Sequence, residues 1–295
     1  MAVGTRARVR RLVPPALQPT ARRAYLWFGP ATSRARMAPS FLVVGGQRCG
    51  TTSIFKALSA HPQVMRPPVE KGTDYYTLWH DRGLDWYRGH FPLEATARLR
   101  AAHAGGPVAF EACTYYLFHP CAMRRIAADF PDIKLVVMLR DPVERAYSAY
   151  KHELARGFET EPTFAGALAL EEARLDGEEE RLVADSGYHS FAHRHHAYVR
   201  RGQYAEQLER VFRHFPREQV HVMQSEAFFA HPQQELADLL SFLELRSWVP
   251  GTVDQHNARP GSAMEPDVRR GLAEHFRPHD EHLADLLNQR PHWAL

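Results

Sequence analysis

Residues 40–56, SFLVVGGQRCGTTSIFK, contain the residue types that bind an anion. The apolar run at 41–44 predicts a buried strand, glycines then space a loop, and the apolar residues after Gly50 have helical spacing. A strand, a glycine loop and a helix N-terminus together aim backbone N–H groups at a phosphate or sulfate. Arg48 adds a fixed positive charge with a planar fork of donors. The other residues that we expect at this anion site are Cys49, Gly50, Thr51, Thr52 and Ser53.

This loop departs from the ATP-binding pattern G-x-x-x-x-G-K-[ST] at one position. Gly45 and Gly50 have the right spacing and Thr52 occupies the hydroxyl position, but Thr51 stands where the lysine is required. A P-loop kinase needs that lysine on the β- and γ-phosphates. The loop therefore indicates a donor other than ATP. The alternative, an ordinary α/β turn, leaves Arg48 and the hydroxyl cluster without a purpose.

Arg140 and Ser148 form a second candidate anion site. Arg140 ends an apolar run typical of a buried strand, and Ser148 lies two turns into the predicted helix that follows. Together they predict a second phosphate site, separate from the one at the glycine loop. The alternative is that Arg140 pairs with Asp141 or Glu144 while Ser148 only packs.

Apolar runs without alternation, most of them followed by a helical segment, predict a parallel sheet buried on both faces. They lie at 41–44, 107–110 and 133–139, and residues 219–223 are a further predicted strand. The predicted fold is a single P-loop-like α/β domain with a central parallel sheet flanked by helices, covering 39–295 after a basic, partly flexible segment at 1–38. Two amphipathic helices, at about 266–276 and 280–287, are expected to close the chain. Ligands bind at the carboxyl ends of such strands, where Arg48, Glu111 and Arg140 fall.

The positive charge is concentrated at the start of the chain. The formal net charge is only +3, yet no Asp or Glu precedes Glu70. Such a basic segment fits peripheral contact with an anionic membrane surface or polymer, and a solvated tail is the alternative. We expect no nucleic-acid partner. There is no run of about 18 apolar residues and no apolar segment typical of a secretory signal, so we expect a soluble protein without a transmembrane segment.

The three cysteines have no regular spacing and give no disulfide framework, which favours a reducing compartment. With an Arg-, Ala- and Pro-rich composition, we expect a cytoplasmic bacterial protein. A position near the predicted helix N-terminus favours a lowered pKa for the Cys49 thiol, but we interpret Cys49 as a small loop residue. The histidines at 189–196 lack a supporting Cys or Glu. We interpret them as part of a helix face and expect no metal.

Two motifs in this order resemble the sulfotransferases that use 3′-phosphoadenosine 5′-phosphosulfate (PAPS). GQRCGTTS is similar to the family's 5′-phosphosulfate loop, with Arg48 where the family usually has lysine. RDPVERAYSAY is similar to its 3′-phosphate motif, and RGLDWYRGHFP and RGQYAEQLERVF extend the likeness to the bacterial and Golgi carbohydrate type, including the heparan sulfate sulfotransferases. The resemblance implies that Arg140 and Ser148 bind the 3′-phosphate, and that Tyr204 and Arg259 contact the nucleotide. It implies no metal.

The resemblance leaves the catalytic base open. Relatives carry K-E-x-H-F-F, whose Glu deprotonates the acceptor, whereas KGTDYY puts Gly72 at that position. The candidate replacements are Asp74, which we favour, Glu70 and Glu111, and the alternative for Glu111 is that it only orients Arg48 or Lys71. Since arginine cannot act as an acid, proton delivery to the leaving group is also open. The residues expected at the acceptor are Glu70, Lys71, Tyr75, Tyr76 and Trp86, although Trp86 and Tyr87 equally fit a plain core.

The resemblance implies in-line transfer of a sulfuryl group to a hydroxyl or amine of a carbohydrate or glycosylated metabolite, by positioning and electrostatics. Two other functions compete with it. A nucleotide kinase would turn over ATP with Mg²⁺. A non-catalytic PAPS-binding protein would bind the nucleotide without turnover, because the usual Glu is lost.

Overall fold

A computed structural model describes residues 18–249 and 263–294, and its centre is a five-stranded, wholly parallel sheet. The strand order is β2-β3-β1-β4-β5. The strands are β1 (Phe41–Val43), β2 (Val64–Met65), β3 (Val108–Ala112), β4 (Lys134–Leu139) and β5 (Val220–Gln224). The predicted α/β class with a central parallel sheet is confirmed.

Both faces of the sheet are buried, which explains why its strands read as continuous apolar runs. In β1, Phe41 and Val43 pack into one apolar cluster and Leu42 packs into another. Successive side chains of a strand point to opposite faces, so each face needs its own apolar residues and its own cover of helices.

The helices cover the two faces and follow most strands. They are α1 (Gln18–Phe28), α2 (Thr51–Ala60), α3 (Tyr75–Leu78), α4 (Gly83–Arg88), α5 (Glu94–Arg100), α6 (Ala122–Asp129), α7 (Pro142–Ala155), α8 (Phe164–Leu175), α9 (Glu178–Ala184), α10 (Phe191–His195), α11 (Tyr204–Phe212), α12 (Ser225–Ala230), α13 (Pro232–Phe242) and α14 (Pro266–Leu287). Short 3₁₀ helices lie at Pro30–Ala35, His80–Arg82, Arg200–Gly202 and Arg217–Gln219. No helix in the described ranges is long and apolar enough to cross a bilayer.

The register of the central strands brings their carboxyl ends together. Val43 pairs with Ala112 of β3 on one side and with Val136 of β4 on the other. A Cβ at Gly45 would lie 2.4 Å from the backbone nitrogen of Met138, so only glycine lets the chain leave β1 so close to β4. The loops after β1, β3 and β4 therefore open at the same edge of the sheet.

The prediction of two closing helices was wrong, because α14 runs from Pro266 to Leu287 without a break. Pro278 lies inside it and removes one backbone donor, which usually kinks or ends a helix. Buried apolar side chains lie on both sides of the proline, at Leu272, Phe276 and Leu283. Because the apolar face of α14 is buried along the whole helix, packing favours one continuous helix over the tendency of Pro278 to end it.

Candidate functional site

The loop after β1 is shaped to leave the amino end of α2 open to an anion. Arg48 and Gly50 both have positive φ, 71° and 79°. Gly50 is the N-cap of α2 and has no side chain that could cap the first turn. The N–H groups of a first helical turn point out of its amino end and carry partial positive charge; here that of Ser53 donates to the Gly50 carbonyl at 2.9 Å. The predicted anion-binding geometry is therefore present.

This loop forms the floor of a cleft with a volume of about 530 Å³, within the range of roughly 300–1,000 Å³ that small-molecule sites occupy. Helices α7 and α12 form its walls. The lining residues are Gln47, Arg48, Gly50, Thr51, Thr52, Lys71, Thr114, Arg140, Glu144, Tyr147, Ser148, Lys151, His152, Arg156, Ser225, Glu226 and Phe229. Five of these carry Lys or Arg charge and two carry carboxylates, so the cleft suits a polyanion.

The two anion motifs line one cleft and contact each other, so the two predicted phosphate sites lie side by side. The Arg48 Nε donates to the Ser148 Oγ at 3.0 Å, and the Arg140 Nη1 donates to the carbonyl oxygen of Arg48 at 3.3 Å. The Asp141 side chain caps α7 by accepting from two backbone N–H groups, and Glu144 pairs with Arg269. Both carboxylates that could have paired with Arg140 thus have other partners.

Lys71 supplies the ammonium that the loop lacks at Thr51. Its Nζ donates to the Thr51 Oγ1 at 2.9 Å and to the Thr52 Oγ1 at 3.5 Å, and it lies 5.9 Å from the centre of the Phe55 ring. Burial lowers the pKa of Lys71 to about 8, against an opposing effect of the Cys113 thiol. We expected Lys71 at the acceptor; the structure brings it to the anion loop.

Cys49 and Tyr204 lie behind the loop. Burial raises the pKa of the Cys49 thiol to about 11, which corrects the expectation of a lowered value. The Tyr204 hydroxyl is buried and donates to the Arg140 carbonyl at 2.8 Å, and the Ser225 Oγ donates to the Cys49 carbonyl at 2.7 Å. Tyr204 therefore braces the two anion motifs from within the core, where we expected a nucleotide contact. Arg259 lies outside the described residues.

A buried polar chain holds the loop from the side of α7. The Gln47 Nε2 donates to the Glu153 Oε1 at 2.7 Å, and the Gln47 Oε1 accepts from Arg201 at 3.1 Å. The other Glu153 oxygen lies 3.0 Å from the His195 Nδ1. Burial alone would raise the pKa of Glu153, but its hydrogen bonds to His195 and Gln47 leave that pKa below its ordinary value. No local pattern in the sequence predicts this network, because its residues are far apart in the chain.

Asp74 is absent from the cleft lining, but it contacts Cys113, the neighbour of the lining residue Thr114, and both of its carboxylate oxygens accept hydrogen bonds. Its Oδ1 accepts from the Cys113 Sγ at 3.0 Å and its Oδ2 accepts from Arg194 at 2.8 Å. Its backbone is left-handed, with φ of 55°. A Cβ at the neighbouring Gly72 would lie 2.4 Å from the Ala112 carbonyl oxygen. The backbone here thus has no room for the glutamate that relatives carry.

Glu111 is enclosed in the core. Its Oε1 accepts from the hydroxyls of Tyr87 and Tyr116 at 3.0 and 2.8 Å, and its Oε2 accepts from the Thr73 N–H at 2.8 Å. Burial raises the pKa of Glu111 to about 7, although these hydrogen bonds act in the opposite direction. The structure gives Glu111 these structural partners, which corrects the idea that it orients Arg48 or acts on the acceptor.

The aromatic residues predicted at the acceptor pack into the core. Tyr75 and Tyr76 are 2% and 0% exposed, and Tyr75 stacks on Tyr87 at 4.7 Å. Trp86 is partly buried against the same cluster. Two buried rings cannot stack on a sugar, which corrects the expectation for Tyr75 and Tyr76; the core alternative holds for Tyr87, which is 0% exposed. Glu70 forms an ion pair with Arg22 of α1 and is absent from the cleft lining.

Among the cleft residues outside the predicted motifs, Lys151, His152 and Arg156 follow Ser148 along the chain. They lie three, four and eight positions after Ser148, which places them on the same face of α7 and its continuation. That spacing was the available signal. Within the described ranges, no group of three or more His, Cys, Asp or Glu side chains has the arrangement of a metal site.

Comparison with known proteins assigns the domain. Residues 38–259 match the family model of the sulfotransferase domain. The crystal structure of a sulfotransferase from Alicyclobacillus acidocaldarius has a TM-score of 0.64 and 31% sequence identity, over 86% of this chain and 98% of that one.

Three curated relatives have lower sequence identity than this structure. A membrane-associated sulfotransferase of Dictyostelium discoideum is 24% identical, over 90% of this chain and 68% of that protein. A human heparan sulfate glucosamine 3-O-sulfotransferase is 28% identical, over 72% of this chain and 48% of that protein. A bifunctional heparan sulfate N-deacetylase/N-sulfotransferase of Drosophila melanogaster is 26% identical, over 73% of this chain and 20% of that protein. The chain thus spans about half or less of these two heparan sulfate enzymes.

Proposed function

Because this chain belongs to the sulfotransferase family, we propose that it moves a sulfuryl group from PAPS to a hydroxyl or amine of a carbohydrate or glycosylated metabolite. One observation carries the choice of donor. A single cleft joins the anion loop at Arg48 to the pair Arg140 and Ser148, with 3.0 Å between Arg48 and Ser148. A nucleotide that carries anions at both its 5′ and 3′ ends would use both motifs at once.

The donor would be held by charge-assisted hydrogen bonds at two ends. The backbone N–H groups at 50–52, where α2 begins, favour the 5′-phosphosulfate, whereas those of Cys49 and Ser53 donate to the carbonyls of Gly46 and Gly50. Arg140 and Ser148 favour the 3′-phosphate, because guanidinium groups bind phosphate with a planar pair of donors. Tyr204 and Ser225 hold the two motifs in position, because their hydroxyls donate to the carbonyls of Arg140 and Cys49. PAPS, when bound, supplies a sulfuryl group whose S–O bond to the 5′-phosphate breaks as a bond to the acceptor forms.

Two cations face the place where negative charge develops. Arg48 lies in the loop itself, and Lys71 is hydrogen-bonded to its first hydroxyls. Donors fixed in advance at such a place stabilise the transition state without reorganisation. Lys71 is the one of the two that can lose or share a proton near neutral pH, since burial lowers its pKa to about 8. We propose that Lys71 supplies the ammonium at the leaving 5′-phosphate.

Asp74 is our proposed base for the acceptor proton. Glu111 is enclosed by Tyr87, Tyr116 and Thr73, and Glu70 is engaged with Arg22. Asp74 has 29% of its side chain accessible, contacts Cys113 next to the cleft residue Thr114, and is oriented by Arg194. A base must lie within hydrogen-bond reach of the acceptor hydroxyl, which Glu111 cannot reach from the core.

The acceptor class rests on the relatives. The human and fly proteins named above are heparan sulfate sulfotransferases, and the cleft beyond Ser148 adds Lys151 and Arg156 to the donor-binding cations. We therefore propose a carbohydrate-type acceptor. A reducing compartment, such as the bacterial cytoplasm, is part of the proposal, because Cys49, Cys113 and Cys121 are buried free thiols.

Calorimetric binding of 3′-phosphoadenosine 5′-phosphate (PAP), ADP and ATP tests the donor site. Wild type is expected to prefer PAP. Arg140→Ala should lose about 1.5–3 kcal/mol of PAP binding, the range for a hydrogen bond to a charged group, while its ADP affinity changes less. Arg100→Ala, an exposed arginine outside the cleft, is the matched control. Equal affinity for ADP and PAP would refute the PAPS site, and Mg²⁺-dependent ATP turnover would indicate a kinase.

Transfer itself needs a second assay. We would incubate radiolabelled PAPS with chemically desulfated heparan sulfate and with glucosamine, and count label in the saccharide. If the protein binds PAP but neither transfers sulfate to a saccharide nor breaks down PAPS, the non-catalytic alternative is favoured.

A further inference from the structure

Helix α1 exposes two large aromatic side chains at its carboxyl end. Trp27 is 74% exposed and Phe28 is 56% exposed, and no residue of α1 is buried. The two rings contact each other edge to face, with their centres 4.5 Å apart. Large aromatic groups that are exposed side by side mark a surface that contacts something else.

The helix is held to the body by its other side. The Tyr25 hydroxyl donates to the Phe91 carbonyl at 2.8 Å, and the Arg36 guanidinium lies 4.5 Å from the centre of the Tyr25 ring. Directly after Phe28, Gly29 packs so tightly on Gly89 that a Cβ there would lie 2.6 Å from the Gly89 carbonyl oxygen. These contacts fix which side of α1 faces outward.

The outward side combines the aromatic pair with positive charge. Trp27 is two positions after Tyr25, about 200° round the helix, so it points away from the body. Arg23 is one turn before Trp27 on the same side and is exposed. This arrangement, an apolar ring with a guanidinium one turn away, is typical of helices that lie in a membrane interface.

The surrounding sequence carries only positive charge. Residues 1–35 contain seven arginines, at 6, 8, 10, 11, 22, 23 and 34, and no Asp or Glu. Arg22 pairs with Glu70, the first acidic residue of the chain. A second copy of this chain would bring like charges together at this surface. Two side chains also offer far less area than the roughly 1,000 Å² that a stable protein interface buries.

We propose that Trp27 and Phe28 insert into the interface of a bilayer that contains anionic lipids, with Arg23 on the headgroup phosphates. Each basic residue near an anionic surface adds attraction that salt screens. Stable anchoring needs more than one weak signal, and here the aromatic pair and the arginines are the two signals. The surface is independent of the sulfuryl-transfer proposal.

Co-sedimentation of the full-length chain with vesicles tests this surface. We would compare phosphatidylcholine vesicles with vesicles containing 30% phosphatidylglycerol, at 50 and 300 mM NaCl. Wild type is expected to bind the anionic vesicles at low salt and to bind at least tenfold more weakly at high salt. The double variant Trp27→Ser/Phe28→Ser should lose at least tenfold in affinity, which corresponds to about 1.4 kcal/mol. Leu99→Ser, at an 80% exposed leucine of α5, is the matched control and should bind like wild type.

Quenching by brominated lipid gives a second measurement that does not depend on the double variant. The intrinsic fluorescence of wild type should be quenched by brominated phosphatidylglycerol vesicles, and Trp27→Phe should bind equally well but lose most of that quenching. Absence of binding to anionic vesicles would overturn the proposal. So would undiminished binding of the double variant, equal loss in Leu99→Ser, or concentration-dependent dimerisation of wild type that the double variant abolishes. Unchanged PAP binding by all variants would show that the donor site is unaffected.

Discussion

We expect the affinity for PAP to fall at alkaline pH, because the Lys71 ammonium loses its proton there. In the free protein this ammonium is buried against the loop hydroxyls, and burial lowers its pKa to about 8. If PAP binds only the charged form, affinity should be about tenfold weaker at pH 9 than at pH 7, which is about 1.4 kcal/mol. The sign follows from the charge, because a neutral amine no longer attracts the 5′-phosphate of PAP.

Two substitutions separate the charge from the packing. Lys71→Arg keeps a positive charge that does not titrate below pH 12, so its PAP affinity should be nearly constant from pH 7 to pH 9.5. Lys71→Met removes the charge and should weaken PAP binding at pH 7 by about 1.5–3 kcal/mol. Its remaining affinity should also vary little with pH.

Isothermal calorimetry at half-unit steps of pH, with constant ionic strength, measures these affinities. The PAP phosphates are fully ionised above pH 7, because their second pKa is about 6. Burial raises the pKa of the Cys113 thiol well above its ordinary value and that of Cys49 to about 11, so neither thiol provides a competing titration below pH 9. The same alkaline loss in Lys71→Arg as in wild type, or a Lys71→Met affinity within twofold of wild type at pH 7, would refute the reasoning.

Two further predictions concern the carboxylates. Asp74→Asn should keep PAP affinity within threefold of wild type. Its rate of sulfate transfer to desulfated heparan sulfate should fall at least about a hundredfold, the lower range for a general base. Glu70→Gln is the control, and a comparable loss of transfer in both variants would contradict Asp74 as the base. Burial raises the folded pKa of Glu111 to about 7 from an ordinary value of 4.5, so its stabilising contribution is complete below pH 4.5 and is lost as pH rises through 7. Glu111→Gln should therefore reduce the fall in unfolding free energy between pH 5 and pH 8, by on the order of 3 kcal/mol. Urea unfolding at each pH measures this fall, and the same fall in wild type and in Glu111→Gln would show that Glu111 does not cause it.

The sequence was sufficient wherever the chemistry is local. The glycine loop, the start of α2 and the order of Arg140, Pro142 and Ser148 all depend on residues within a few positions of one another. Their glycine spacing, cap residues and apolar runs act through backbone geometry that neighbours in the chain determine. The parallel sheet followed for the same reason, because runs without alternation require cover on both faces.

Tertiary structure decided which distant groups meet. Lys71 reaches Thr51 only because the chain after β2 passes the amino end of α2. Glu111 and Tyr75 became core residues because β3 and α3 are covered by other elements, and burial is a property of the whole fold. The same holds for α14, where packing of a long apolar face outweighs the local effect of Pro278. Motif spacing specifies where a donor can bind, but the positions of its cations and of its base follow from contacts between residues far apart in the chain.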